Sequence, residues 1–324
     1  MDIYKTNYRP TDYTRSSQSQ HVPAEFVGEM EDILGTELKS MALYMQAAYA
    51  IAKNTHSVNY FGNPKDMQQQ LICQAVSEMR HTEIVGRTLS RSGSSPQLKT
   101  SDFESAKSYR ELFDMLLQVE RTGINSLSEM VGITNDKEVK LALLNQLKEE
   151  EEHLEMVQQM SQVLEKAGLI NNLLPLPQGS GPAAYDIGIL LDAFELEIQS
   201  IVTLIYGSIH LGMDMSVAPR MRALSIESMK HLNKIAQDII TLGGRPVVSP
   251  ESLNKGPVLA DAAQTIKHAI ESRQRKVEQY NQFSQGLKSQ GAAKTLSDIS
   301  TKEKESIKNL EGIANSLAEA GPMH

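Results

Sequence analysis

"QLKEEEEHLEMVQ", residues 146–158, sets four consecutive glutamates ahead of a histidine. A run of like charges ordinarily marks a solvated helix face. The apolar residues around this one set a different frame. Leu143, Leu147, Leu154, Val157 and Leu164 recur at helical spacing, and Glu150 falls on their stripe between Leu147 and Leu154. Glu149, Glu151 and Glu152 are then free to face water. Glu150 faces the core, where a carboxylate is costly unless paired or bound to a metal.

The same interruption recurs on each of the three helical segments before it. In "MEDILGTELKSMALYM", Glu37 stands between Ile33/Leu34 and Met41/Tyr44. In "ICQAVSEMRHTEIV", Glu78 and His81 lie one turn apart, and Glu120 interrupts the stripe of Phe113, Leu117, Ile124 and Leu127. Glu150 and His153 repeat the one-turn pair. The inventory is one Glu from each of two helices and a Glu-x-x-His pair from each of the other two. A carboxylate and an imidazole at i and i+3 point the same way, so each pair can hold one cation, with the single glutamates as bridges between two. Four carboxylates balance the charge of two divalent ions.

Composition agrees with an all-α protein. The chain of 324 residues is rich in helix formers, has no Trp, and is long enough for two domains. A net charge of −8 without a Lys/Arg stripe argues against nucleic acid. Cys73 is the single cysteine, so an intrachain disulfide is ruled out. The Met1 region has no apolar signal-peptide core and no apolar run reaches membrane-spanning length, so no membrane association and a cytoplasmic location are expected.

Residues 1–23, with Tyr4, Tyr8 and Tyr13, read as an extended arm. Helical stretches follow near 24–53, 65–91, 106–131 and 136–168, and again near 183–211, 217–242, 258–289 and 296–320, separated by turn-rich connections such as "KNTHSVNYFGNPKD". The expected organisation is the arm, a metal-bearing four-helix bundle over 24–170, a linker over 171–182, and a second bundle over 183–324. The second bundle repeats the first: "SEMRHTEIVGRTLSRSGSSP" from Ser77 aligns without a gap on "ESMKHLNKIAQDIITLGGRP" from Glu227, and "HLEMVQQMSQVLEKAG" on "SIKNLEGIANSLAEAG".

The pattern Glu37, Glu78-x-x-His81, Glu120, Glu150-x-x-His153 resembles the dinuclear site of the ferritin-like superfamily, which includes rubrerythrin, bacterioferritin, manganese catalase and the di-iron carboxylate oxidases. The resemblance covers residues 24–168 and, more weakly, the second unit. It implies two iron or manganese ions bridged by carboxylates and capped by His81 and His153. It also implies chemistry on O2 or peroxide, with or without a small organic substrate, as an oxidase, oxygenase or peroxide scavenger. Alternatives are catalase-like peroxide disproportionation, iron oxidation and handling, or a scaffold that keeps its metal as a staple. Tyr44, seven residues after Glu37, resembles a tyrosine that several members place beside the ligands, and is the one candidate catalytic residue; an ordinary core tyrosine is the alternative.

One cysteine leaves no four-cysteine rubredoxin-like site in this chain, so an electron donor, where needed, is another protein. Tandem bundles and the tyrosine-bearing arm make a homodimer the expected assembly.

The second unit departs from the pattern. Aligning Tyr206 with Tyr44 puts Gln199 at Glu37; the gapless match puts Ser228 at Glu78 and His231 at His81; Arg273 falls at Glu120, Glu303 at Glu150 and Ser306 at His153. Only His231 and Glu303 survive in this register. The expectation is no metal in this unit, with Arg273 paired to Glu303 as a charge replacement. Cys73 is expected to be a buried small residue, and His210, His268 and His324 exposed.

Overall fold

Local chemistry fixes where the helices begin. The computed structural model describes residues 24–51, 57–60, 63–179, 181–210, 217–254 and 262–320. The first helix, α1, is Ala24–Ala50. Helix α2, Met67–Arg91, starts at Asp66, whose carboxylate accepts the Gln69 N–H at 3.1 Å. Helix α3, Tyr109–Ile133, starts at Ser108, whose hydroxyl accepts the Glu111 N–H at 3.2 Å while Glu111 reaches back to the Lys107 N–H at 2.7 Å. Helix α4, Lys137–Lys166, is capped by Asp136.

The second half repeats the set as α5 (Ala184–His210), α6 (Ala218–Thr241), a single turn α7 (Pro250–Leu253), α8 (Ala262–Gly286) and α9 (Gln290–Ala320). The duplicated helices α2 and α6 also stop alike. Gly93 and Gly243 take φ of 82° and 89°, and the next residues, Ser94 and Gly244, donate back to Leu89 and Ile239 at 3.2 and 2.9 Å. Only glycine takes this left-handed turn without strain.

One departure from the all-helical reading lies in the 53–66 connection. Ser57–Tyr60 (β1) and Asn63–Asp66 (β2) pair antiparallel, with Ser57 opposite Asp66 and Tyr60 opposite Asn63. Val58 and Tyr60 are strand formers two apart. Asp66 ends β2 and caps α2 in one residue.

The chain divides into two compact units, Met1–Leu174 and Pro175–His324. The division falls inside the segment expected to be a linker, and each flank is tied to its own unit. Leu174 donates to the Lys107 carbonyl at 2.8 Å, and the Pro175 carbonyl accepts from Arg245 at 2.9 Å. In the first unit α1 packs on α2 and α3, and α4 on α3 and α2; in the second α5 packs on α6 and α8, and α9 on α8 and α6. Each is a four-helix bundle with a long connection between its second and third long helices. Among the described residues no helix is long and apolar enough to cross a membrane. The N-terminal arm with Tyr4, Tyr8 and Tyr13 lies outside the described residues, as does His324.

The bundles close over aliphatic and methionine side chains. Met30, Ile33, Leu34, Met41, Leu116 and Met156 seal the first. Leu204, Met221, Leu224, Ile266, Leu310 and Ile313 seal part of the second. His210 is half-buried with its ring stacked on Tyr206 at 3.8 Å, and His268 is half-buried too, so neither is the open surface histidine expected. Cys73 is likewise half-buried rather than buried.

Candidate metal centre

All six ligand candidates lie inside the first bundle: Glu37 on α1, Glu78 and His81 on α2, Glu120 on α3, Glu150 and His153 on α4. None is more than 4% exposed. On α4 the buried row runs Leu143, Gln146, Glu150, His153, Val157, Met160, Leu164. Leu147 and Leu154 sit half-buried at its margin. Glu150 therefore faces inward while Glu151 is exposed.

Nδ1 of His81 lies 2.6 Å from Glu150, 3.4 Å from Glu78 and 3.5 Å from Glu37. Nδ1 of His153 lies 2.7 Å from Glu78, 3.3 Å from Glu150 and 4.0 Å from Glu120. The imidazoles stack with centroids 5.6 Å apart. Glu78 and Glu150 thus lie between both histidines, whereas Glu37 flanks only His81 and Glu120 only His153. The reason is the packing of α2 on α4: each histidine approaches the carboxylate of the opposite helix more closely than the one on its own.

Both oxygens of Glu78, Oε2 of Glu120, Oε1 of Glu150 and both histidine Nδ1 atoms are buried and make no hydrogen bond of good geometry, although each Nδ1 lies within 2.7 Å of a carboxylate oxygen. Convergent lone pairs of this kind are costly to leave unmatched. One ligand atom from each of Glu78, His81, Glu150 and His153 can be chosen so that all lie within 4.8 Å of one another. Oxygen and imidazole donors suit iron, manganese and zinc. The donor set and the orphaned atoms fit a resident pair of divalent ions.

Without metal, charge is shared out unevenly. Burial, and then the charge of Glu150, raises the Glu37 carboxyl well above its usual range; burial and the charge of Glu78 do the same to Glu120. Burial would raise Glu150 too, but His81 holds it well below the usual value. Burial would lower both imidazoles, yet Glu150 raises His81, and Glu78 raises His153, well above 6.5.

Three neighbours hold the ligand candidates in place. The Gln146 amide donates to Glu37 at 2.8 Å, and the Tyr44 phenol donates to Glu120 at 2.7 Å. Burial and the charge of Glu120 push that phenol well above 10, so it keeps its proton. Glu149 is not the wet residue expected. It is half-buried, accepts from Nε2 of His81 at 2.9 Å and pairs with Arg80. Burial works against its charge, but His81 and Arg80 bring it down to about 2. Gln146 and Glu149 were missed in the sequence. Gln146, one turn before Glu150 on the buried row, was the available signal.

In the second unit Arg273 pairs with Glu303, as expected. The register at Gln199 is corrected. Glu197, not Gln199, matches Glu37, each thirteen residues after the first residue of its helix. Gln199 is half-buried and donates to Glu195. Glu197 is fully buried and accepts from the Tyr280 phenol at 2.7 Å and from Lys276 at 2.9 Å. Three counterparts therefore survive, Glu197, His231 and Glu303, and the unit holds two carboxylates rather than one. His231 lies 2.9 Å from Glu303 and 3.6 Å from Glu197. Ser228 accepts from Arg273 at 3.2 Å, and Ser306 donates to Glu227 at 3.1 Å.

A ferritin-like family model matches residues 31–166, and a second model, described as a ferritin-like domain, matches residues 214–320. No curated protein and no solved structure matches this chain.

Proposed function

The chain belongs to the ferritin-like superfamily, in two tandem units, and on that premise we propose that its first unit is a dinuclear iron or manganese redox centre acting on O2 or peroxide. The observation that carries this reading is the set of buried carboxylate and imidazole donors on Glu78, His81, Glu120, Glu150 and His153, which converge inside the bundle. Glu37, Glu78, His81, Glu120, Glu150 and His153 would hold the two ions. Four carboxylates then neutralise two divalent ions, and burial is no longer opposed by charge. Bound there, the ions would supply electron transfer to and from O2 or peroxide.

The remaining work falls to the chain. Glu149, fixed by Arg80, orients His81 so that Nδ1 faces the centre. Gln146 and Tyr44 each occupy one oxygen of a flanking carboxylate and leave the other directed inward. Tyr44 also keeps a buried, protonated phenol next to Glu120.

Peroxide disproportionation is the second reading. It is favoured by the lone cysteine, because peroxide as both oxidant and reductant requires no separate donor site. The test is protein loaded with Fe(II) or with Mn(II), followed for peroxide loss and O2 exchange with and without reductant. O2 evolution without reductant supports disproportionation. Turnover that requires reductant supports the oxidase or peroxidase reading. No turnover with either metal contradicts both.

A further inference from the structure

The polar core of the second unit is built around a lysine with no counterpart in the first. Lys276 stands fourteen residues after the start of α8, and the residue fourteen after the start of α3 is Gly123. At Gly123 an added Cβ would meet nothing nearer than Thr36 Cγ2 at 4.0 Å. Gly123 brings no charge to the first unit. In the second unit the same position carries an ammonium. Lys276, whose side chain is 3% exposed, places Nζ 2.9 Å from Glu197 Oε2 and 2.9 Å from Glu303 Oε1. Ligand atoms of Glu197, His231 and Glu303 lie within 4.8 Å of one another.

We infer that the ammonium of Lys276 is the resident cation of the second unit, and that Glu197, His231 and Glu303 form a divalent-cation site that this ammonium keeps closed. The argument is one of charge and place. Two buried carboxylates need two positive charges. Arg273 supplies one at Oε2 of Glu303. Lys276 supplies the other at the point shared by both carboxylates, next to the imidazole that completes a three-residue oxygen and nitrogen donor set. The first unit depends on ions from solution for the same neutralisation; the second carries its own. Half of the chain is thereby folded whatever the metal supply. The inference is independent of the redox reading of the first unit.

The test is Lys276→Ala in the full chain, titrated with Co(II) and read by visible absorption and equilibrium dialysis beside wild type. The expected result is one equivalent above wild type, lost again when His231→Ala is added. A folded Lys276→Ala protein that binds no extra equivalent overturns the inference. If the alanine variant does not fold, Lys276→Met keeps the apolar stem and removes only the charge. A clear fall in the second unit's thermal midpoint is then expected, and a midpoint equal to wild type overturns the inference.

Discussion

Nε2 of His81 lies 2.9 Å from Oε2 of Glu149, and the same oxygen pairs with Arg80. The contact is on the side of the ring away from Nδ1, which faces Glu37, Glu78 and Glu150. A carboxylate on the outer nitrogen fixes the tautomer and strengthens the inner nitrogen as a donor. Glu149→Gln keeps the shape and removes the charge. Metal affinity of the first unit is expected to fall about 10- to 100-fold, measured by competition with a chelator. An unchanged affinity would take Glu149 out of the account.

Metal loading is expected to release protons. Burial, reinforced by neighbouring carboxylates, raises Glu37 and Glu120, while Glu150 and Glu78 raise His81 and His153 against the lowering effect of burial. All four must give up their protons to become ligands, so affinity rises with pH through the neutral range. Titration calorimetry in buffers of different ionisation enthalpy reads the release directly. Binding without release would mean that the groups are already deprotonated.

Chelation separates the two units. In the metal-free first unit Glu37, Glu120, His81 and His153 all have raised values. A raised group contributes stability that is complete below its unfolded value and lost as pH rises through its folded value. The metal-free first unit should therefore lose stability as pH rises above the unfolded values, about 4.3 for Glu and about 6.5 for His. In the second unit burial would raise Glu197 and Glu303, but Lys276 foremost holds both below 4.5. Their contribution is present above about 4.5 and lost only as the pH falls through the depressed values. Calorimetry should show one transition lowered by chelator and one unmoved by it. Two equally chelator-sensitive transitions would contradict this.

Gly123→Lys carries the second unit's cation into the first. A Cβ fits there, and an ammonium that reached Glu37, as Lys276 reaches Glu197, would compete with metal. The variant is expected to fold and to lose metal, as read by metal analysis and circular dichroism. A folded variant with wild-type metal content would show that position 123 does not reach the centre.

The helices, the duplication and all six buried ligand candidates were legible because Glu and His interrupt apolar stripes at helical spacing. Other features were not. The placing of Glu78 and Glu150 between both histidines depends on which helix faces which, and spacing along one chain does not carry that. Glu197 was misplaced because its helix, like α1, is buried almost all round in its second half, with Ile198, Ile201, Val202, Leu204 and Ile205 all inside. Such a helix has no polar face to set the phase, and Tyr206 served as a false anchor. Lys276 was visible: it lies three residues after Arg273 and four before Tyr280, on the stripe that places both inside. A lysine on that stripe is the same kind of anomaly as Glu150, with the opposite sign.

The most direct test of the dinuclear centre is metal content per chain by plasma mass spectrometry, on protein purified without added metal, for wild type and Glu150→Ala. The account predicts about two ions of iron or manganese per wild-type chain and their loss in the variant, while the second unit's unfolding transition stays in place. Wild-type protein free of metal under every loading condition, or a Glu150→Ala variant that keeps both ions, would contradict it.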